Sequence, residues 1–206
     1  MPNDEPDTSG TPDTFVGGHP YLDFLNTGGG PTKARDAPAF ADWAEALRWL
    51  SLAGVVTPAE RRQLAKLAQG PAALAALKNL VSQREHAHAV LSAVAGDQPA
   101  PPAARRYLEN EIRLALKHAT LPLFPERQPS WHIDRAAAGL DLPRLRLALS
   151  AQDLVAHAPL HRLRECEACS WLFLDTSRGG RRRWCSMATC GNRAKAPRHY
   201  RAQQAA

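Results

Sequence analysis

Residues 164–193 read RECEACSWLFLDTSRGGRRRWCSMATCGNR, and this stretch holds all four cysteines of a 206-residue chain. The spacing is C-x2-C-x15-C-x4-C: Cys166, Cys169, Cys185 and Cys190. A C-x2-C turn aims two thiolates at one ion, and two pairs complete the tetrahedral shell that zinc prefers. Four protein ligands leave no open coordination position, so the spacing predicts one structural Zn2+ and no metal-bound catalysis. Four thiolates also suit an iron–sulfur cluster, and a thiol switch is a third use of such a group. Size favours metal, because a module of roughly 45 residues is near the limit for folding on a hydrophobic core alone. Metal binding supplies on the order of 10 kcal/mol of folding free energy.

Between the cysteine pairs, WLFLD alternates, placing Trp171 and Phe173 on one face and Leu172 and Leu174 on the other. TSRGG reads as a turn and RRRW as a returning strand. A hairpin followed by a helix gives a treble-clef or ribbon-like zinc module. Trp171, Phe173 and Trp184 supply its small core or, alternatively, stacking platforms for bases.

The arginines are no core residues. Arg178, Arg181, Arg182 and Arg183 cluster at the turn, and Arg193, Lys195 and Arg198 follow the last cysteine. Such a surface attracts phosphate backbones. Asn192 and Arg193 match the groups that read adenine and guanine edges in duplex DNA. Asn192 equally suits a local brace of the knuckle. An RNA- or ribosome-binding module and a protein–protein module are the competing functions.

Charge is distributed unevenly. The chain has 26 Lys/Arg and 20 Asp/Glu, but from Arg162 onward there are ten bases and only three acids. The preceding residues are near neutral. This asymmetry predicts a basic module joined to a neutral body. The acidic start, MPNDEPDTSGTPDT, is unlike a secretory signal, and no apolar run is long enough to span a membrane. A cytoplasmic location is expected.

Upstream, the pattern is mainly α-helical, with about five helices. FVGGHPYLDFLNTGGGP is ambiguous between strand and short helix. In AFADWAEALRWLSLAG, Phe40, Trp43, Ala44, Leu47 and Leu50 form one stripe, and Gly54 is a stop. Thr57-Pro58-Ala59-Glu60 is a capping box with proline at the first helical position. A long helix follows Pro71, another carries Leu108, Ile112 and Ala115, and a last one runs from Asp141 to His157. SWHID has the alternation of a short strand.

Arg84 falls within the apolar stripe of the long helix. With His19, Asp23, Asn26 and Thr27 it could line a pocket for a small polar or anionic ligand. Alternatively, Arg84 and Asp23 form a buried ion pair that braces the core. Phosphate loops, H-E-x-x-H and G-x-S-x-G are absent, and no enzyme activity is expected.

RRRWCSMATCGNRAK, with Arg164, Cys166, Cys169, Phe173 and Asp175 upstream, resembles the CGNR zinc-finger family of bacterial proteins. GGHPYLDFLNT and Arg84 in QREHAHAVL resemble the helical ABATE domain that usually precedes that finger, with Asn110 a further matching position. The resemblance implies a stress-related transcriptional regulator. It divides the chain into a disordered tail (1–13), a helical sensor domain (14–160) and a zinc finger (161–206). Pro197 departs from the unbroken basic helix that commonly follows the motif. A single finger of this size reads few bases, so a homodimer through the helical body is the expected remedy.

Overall fold

Helices in this protein begin where the sequence provides a cap. The computed structural model describes residues 15–35, 40–122 and 130–195. The expected tail (1–13), Pro197 and Arg198 lie outside the described residues. Helix α1, Pro20–Leu25, resolves the ambiguous stretch: His19 Nδ1 accepts from the Tyr21 amide at 3.1 Å, and Pro20 opens the first turn. Its Tyr21, Leu22, Phe24 and Leu25 are all fully buried.

Asp42 caps α2, Trp43–Leu52, by accepting from the Glu45 amide at 2.7 Å. The helix therefore starts after Phe40, and its buried stripe is Trp43, Ala46, Leu47 and Leu50. Ala44 is exposed because it lies about 100° around the helix from Trp43. Gly54, at φ 71°, ends the segment. Helix α3, Pro58–Leu67, carries the expected capping box between Thr57 and Glu60.

The 25-residue α4, Pro71–Ala95, packs against α5, Pro102–His118, and α5 against α7, Leu142–His157. Strand β1, Ala119–Thr120, pairs antiparallel with β2, His132–Ile133, within the SWHID stretch. The short α6, Arg135–Ala138, precedes α7. Seven α-helices are thus formed among the described residues. The two beyond the expected five are α1 and α6, of six and four residues, too short to show a helical period.

The C-terminal hairpin is built differently from the expectation. Strand β3, Leu163–Glu165, pairs antiparallel with β4, Leu172–Leu174, with Leu163 opposite Leu174 and Glu165 opposite Leu172. The first cysteine pair thus forms the hairpin's turn, closed by the Cys166 amide donating to the Trp171 carbonyl at 2.8 Å. Residues 181–184 form no strand. Their backbone is fixed by separate bonds: the Arg182 amide donates to Asp175 Oδ2 at 2.9 Å, and the Arg183 carbonyl accepts from the Glu167 amide at 3.0 Å.

Both faces of β4 are buried, and the alternation sorts them between two cores. Leu172 and Leu174, with Leu163, join the main core of α1, α2 and α4. Phe173 joins the four cysteines, flanked by Trp171 and Trp184. Residues 160 and 161 therefore mark a change of composition but no gap between independent cores. No described helix is long and apolar enough to cross a membrane.

Candidate metal centre and basic loop

The hairpin turn delivers Cys166 and Cys169, and the turn of π-helix Met187–Gly191 delivers Cys190, with Cys185 just before it. All four thiols are free and buried, and their sulfurs lie within 4.8 Å of one another. Cys169 Sγ is 3.7 Å from Cys185 Sγ, and Cys185 Sγ is 3.6 Å from Cys190 Sγ. A tetrahedral ion about 2.3 Å from each sulfur has sulfur–sulfur edges of about 3.8 Å. The cluster fits that shell. The spacing is too long for a disulfide. It also suits one ion better than a multi-iron cluster, whose bridging sulfides hold the cysteines further apart.

The electrostatics agree. Thiol donation from Cys169 and Cys185 pulls the Cys166 pKa far down. The same contact with Cys166 pushes Cys169 up to about 12, and contacts with Cys166 and Cys169 push Cys185 further up. Thiolates this close repel one another, and a bound cation relieves that repulsion.

The arginines around this centre have different tasks. Arg182 lies over the Phe173 ring, 4.3 Å from its centroid, and donates from Nε to the Trp184 carbonyl at 2.9 Å. Its Nη2 reaches the Cys185 carbonyl and, at 3.4 Å, that of Val16. Arg183 pairs with both oxygens of Glu167, at 2.7 and 2.5 Å, and stacks on Trp184. Arg193 Nη2 donates to Cys190 Sγ at 3.2 Å, and Asn192 Nδ2 to the Ala188 carbonyl at 3.2 Å. Arg178, Arg181 and Lys195 are exposed, with no side-chain hydrogen bond or ion pair among the described residues.

The finger's acids are already engaged. Asp175 accepts from the Ser177 and Arg182 amides, Glu167 from Arg183, and Glu165 from Lys33 at 2.7 Å and from Ser92. Lys33 also donates to the Cys166 carbonyl. His88 on α4, with Nε2 2.7 Å from the Ser170 carbonyl, adds another contact to the first knuckle. Burial pushes the His88 pKa down, and Arg35 adds to the shift. Sequence reasoning missed Lys33, His88 and Ser92. His88 and Ser92 stand one turn apart on α4, but nothing in the chain's pattern marks what they face.

The five residues proposed to line a ligand pocket do not converge. His19 Nε2 meets Asp153 at 3.1 Å. Asp23 accepts from the Gly17 amide at 2.8 Å, and its burial raises its pKa against that hydrogen bond. Asn26 binds the finger at Leu172. Among their side chains, Thr27 and Arg84 are the one hydrogen-bonded pair, at 3.2 Å. Arg84 is not paired with Asp23: its Nε donates to Glu85 at 2.7 Å, and Arg35 grips the same carboxylate. A cleft of about 430 Å³ lies elsewhere, between the end of α4 and residues 160–164, and contains none of the five.

Two family models match the chain. Residues 162–203 match the family model of the CGNR zinc finger. Residues 18–158 match the ABATE family model, described as "Putative stress-induced transcription regulator". No curated protein matches the chain. The finger match and the four close cysteines together point to a structural zinc ion.

Proposed function

The chain belongs to the ABATE family and carries a CGNR zinc finger, and from that premise we propose that it is a zinc-dependent, DNA-binding transcriptional regulator. The observation that carries the reading is the uncompensated charge at the finger's loop. Arg178 and Arg181 are exposed at its tip, while Glu165, Glu167 and Asp175 are all engaged with other groups. Cations without internal counter-ions are available to phosphates, and each neutralised phosphate contributes about 0.9 to the salt slope on duplex DNA.

Zinc, when bound, supplies the cross-link that holds the two cysteine turns together. Phe173 and Arg182 pack beneath that cross-link, and Arg178, Arg181 and Lys195 face the nucleic acid. The reading assigns no catalytic step and a cytoplasmic location. The helical body is its sensing half, with Thr27 and Arg84 as contact points for a small anionic ligand. A homodimer formed through that body presents two fingers to adjacent half-sites.

The test is selection of genomic duplex fragments by the intact protein at about 150 mM salt, a physiological ionic strength. The control is the Arg178→Ala/Arg181→Ala double variant. Deleting the finger is unsuitable because it strips Leu163, Leu172 and Leu174 from the main core. Enrichment of a short motif by the intact protein, reduced in the variant, supports the proposal. Equal retention of all fragments, or tighter binding to structured RNA at matched salt, overturns it.

A further inference from the structure

The C-G-N-R tetrad at the second knuckle is bonded back onto its own turn, with Cys190 and Gly191 buried and Asn192 and Arg193 exposed. Cys190 supplies a sulfur to the cluster, and the Gly191 amide donates to the Ser186 carbonyl at 2.9 Å, closing the π-turn. Asn192 Nδ2 holds the Ala188 carbonyl at 3.2 Å. The next side chain folds back over the same turn, and Arg193 Nη2 comes to rest 3.2 Å from Cys190 Sγ. Three consecutive residues thus fix the geometry of one ligand.

We propose that Arg193 is a positioning residue of the zinc centre, donating a charged hydrogen bond to the Cys190 thiolate, and that it does not read DNA bases. The inference rests on the zinc assignment and is independent of the DNA reading. Four thiolates around a divalent cation leave two net negative charges in a largely buried site. A guanidinium at hydrogen-bond distance offsets part of that charge and restrains the sulfur's orientation. Lys33 acts on the opposite knuckle through the Cys166 carbonyl, so each cysteine turn has a cation beside it. Arg193 is three residues beyond Cys190, the helical spacing that returns a long side chain to its own turn.

The assignment separates the finger's cations into two sets. Arg193, although exposed, is bonded to the metal centre, and Arg182 to the backbone beside it. Arg178, Arg181 and Lys195 make no side-chain hydrogen bond or ion pair among the described residues and are free to meet phosphate.

The experiment uses the full chain loaded with Zn2+ or with Co2+, comparing wild type, Arg193→Gln, Arg193→Lys and Arg178→Ala/Arg181→Ala. In the Co2+ form, replacing the charged, long-reaching guanidinium by the shorter, neutral amide of Gln weakens the N–H···S bond and raises the energy of the sulfur lone pairs. The sulfur-to-cobalt charge-transfer band should therefore move to longer wavelength in Arg193→Gln. Loss of zinc to a competing chelator should be about 10- to 100-fold easier, the usual effect of losing an outer-shell partner. Arg193→Lys should fall between wild type and Arg193→Gln because it keeps the charge but loses the planar donor. The loop variant should leave both readouts unchanged.

If Arg193→Gln fails to fold, Arg193→Lys still decides the matter through the band position and chelator competition. An Arg193 variant with an unchanged cobalt spectrum and unchanged zinc retention overturns the proposal. If that variant also loses DNA fragments, Arg193 belongs to the nucleic-acid surface. Absence of DNA binding by the wild type, with the spectral shift present, would sink the regulator reading and leave this one standing.

Discussion

Asn26 grips Leu172 with both ends of its amide: Nδ2 donates to the Leu172 carbonyl and Oδ1 accepts from the Leu172 amide, each at 2.8 Å. The side chain behaves as a one-residue strand added to the outer edge of β4, joining helix α1 to the zinc hairpin. Next to it, the Leu174 amide donates to the Gly17 carbonyl at 2.8 Å. The start of the helical domain thus serves as the third edge of the finger's hairpin.

Asn26→Ala should therefore destabilise the whole protein. It leaves two backbone groups of Leu172 unpaired at a site where Asn26 itself is 3 % exposed. The expected loss is about 2–5 kcal/mol, read by denaturant unfolding. Asn26→Asp should fare nearly as badly, because it replaces the donor with a second acceptor facing a carbonyl. A loss under about 0.5 kcal/mol for Asn26→Ala would show that the brace carries nothing.

Zinc removal should be felt well outside the finger. Leu163, Leu172 and Leu174 are buried in the same core as α1, α2 and α4. A chelator that releases the hairpin exposes leucines worth, together, on the order of 5 kcal/mol. Far-ultraviolet ellipticity, dominated by the helices, should melt about 10–20 °C lower in the chelated protein and in Cys190→Ser. Tryptophan fluorescence should follow the same transition. An unchanged helical melt with a separate finger transition would instead show two independent units.

The finger was legible because its signals are local. Cysteine spacing fixed the ligand set, and the period-two alternation of Trp171 to Leu174 correctly divided two buried faces. A capping box marked the start of α3, where Thr57 and Glu60 act through bonds within four residues, whereas the Asp42 cap of α2 was not read. The hairpin partner was not legible: 181–184 has the composition of a strand, but its backbone is held by Asp175 and Glu167 across the knuckle. Asn26 was read as a pocket residue, whereas its side chain binds Leu172, 146 positions away. No periodicity reports a contact of that range. Arg84 shows the same limit in its bond to Thr27, 57 positions away, which depends on the packing of α1 against α4.

Acid should weaken the link between α3 and α7 that the Glu60–Arg146 ion pair makes. Its carboxylate accepts from both Arg146 Nη atoms at 2.8 Å, and the capping bond at Thr57 adds to this. Hydrogen bonding from Arg146 lowers its pKa from 4.5 to about 2. A folded-state pKa below the unfolded value gives stability that is complete above about 4.5 and lost as pH falls towards 2. Arg146 is 30 % exposed, so screening limits the contribution to about 1–2 kcal/mol. Glu60→Gln should lose that amount at neutral pH and flatten the acid limb of the stability curve between pH 4.5 and 2. An acid limb identical to wild type would remove Glu60 from the account.

Gly17 is the position where one methyl group should disturb both halves at once. An added Cβ would meet Leu22 Cβ at 2.7 Å, Asp23 Oδ1 at 3.0 Å and the Asp23 amide nitrogen at 3.1 Å. None of these is the loose end of a long side chain. The glycine cannot easily retreat, because its amide is bound to Asp23 at 2.8 Å and its carbonyl to Leu174 at 2.8 Å. Gly17→Ala should cost about 1–3 kcal/mol, the usual penalty of overpacking. It should also raise zinc loss to a chelator, since the displaced carbonyl supports β4 beside the metal cluster. Gly179→Ala is the matched control: its nearest neighbours are carbons and a nitrogen of the exposed Arg181 side chain at 3.6–3.7 Å, and its effect should stay within about 0.5 kcal/mol. Equal stability and equal zinc retention for the two variants would mean that the segment before α1 does not hold the finger.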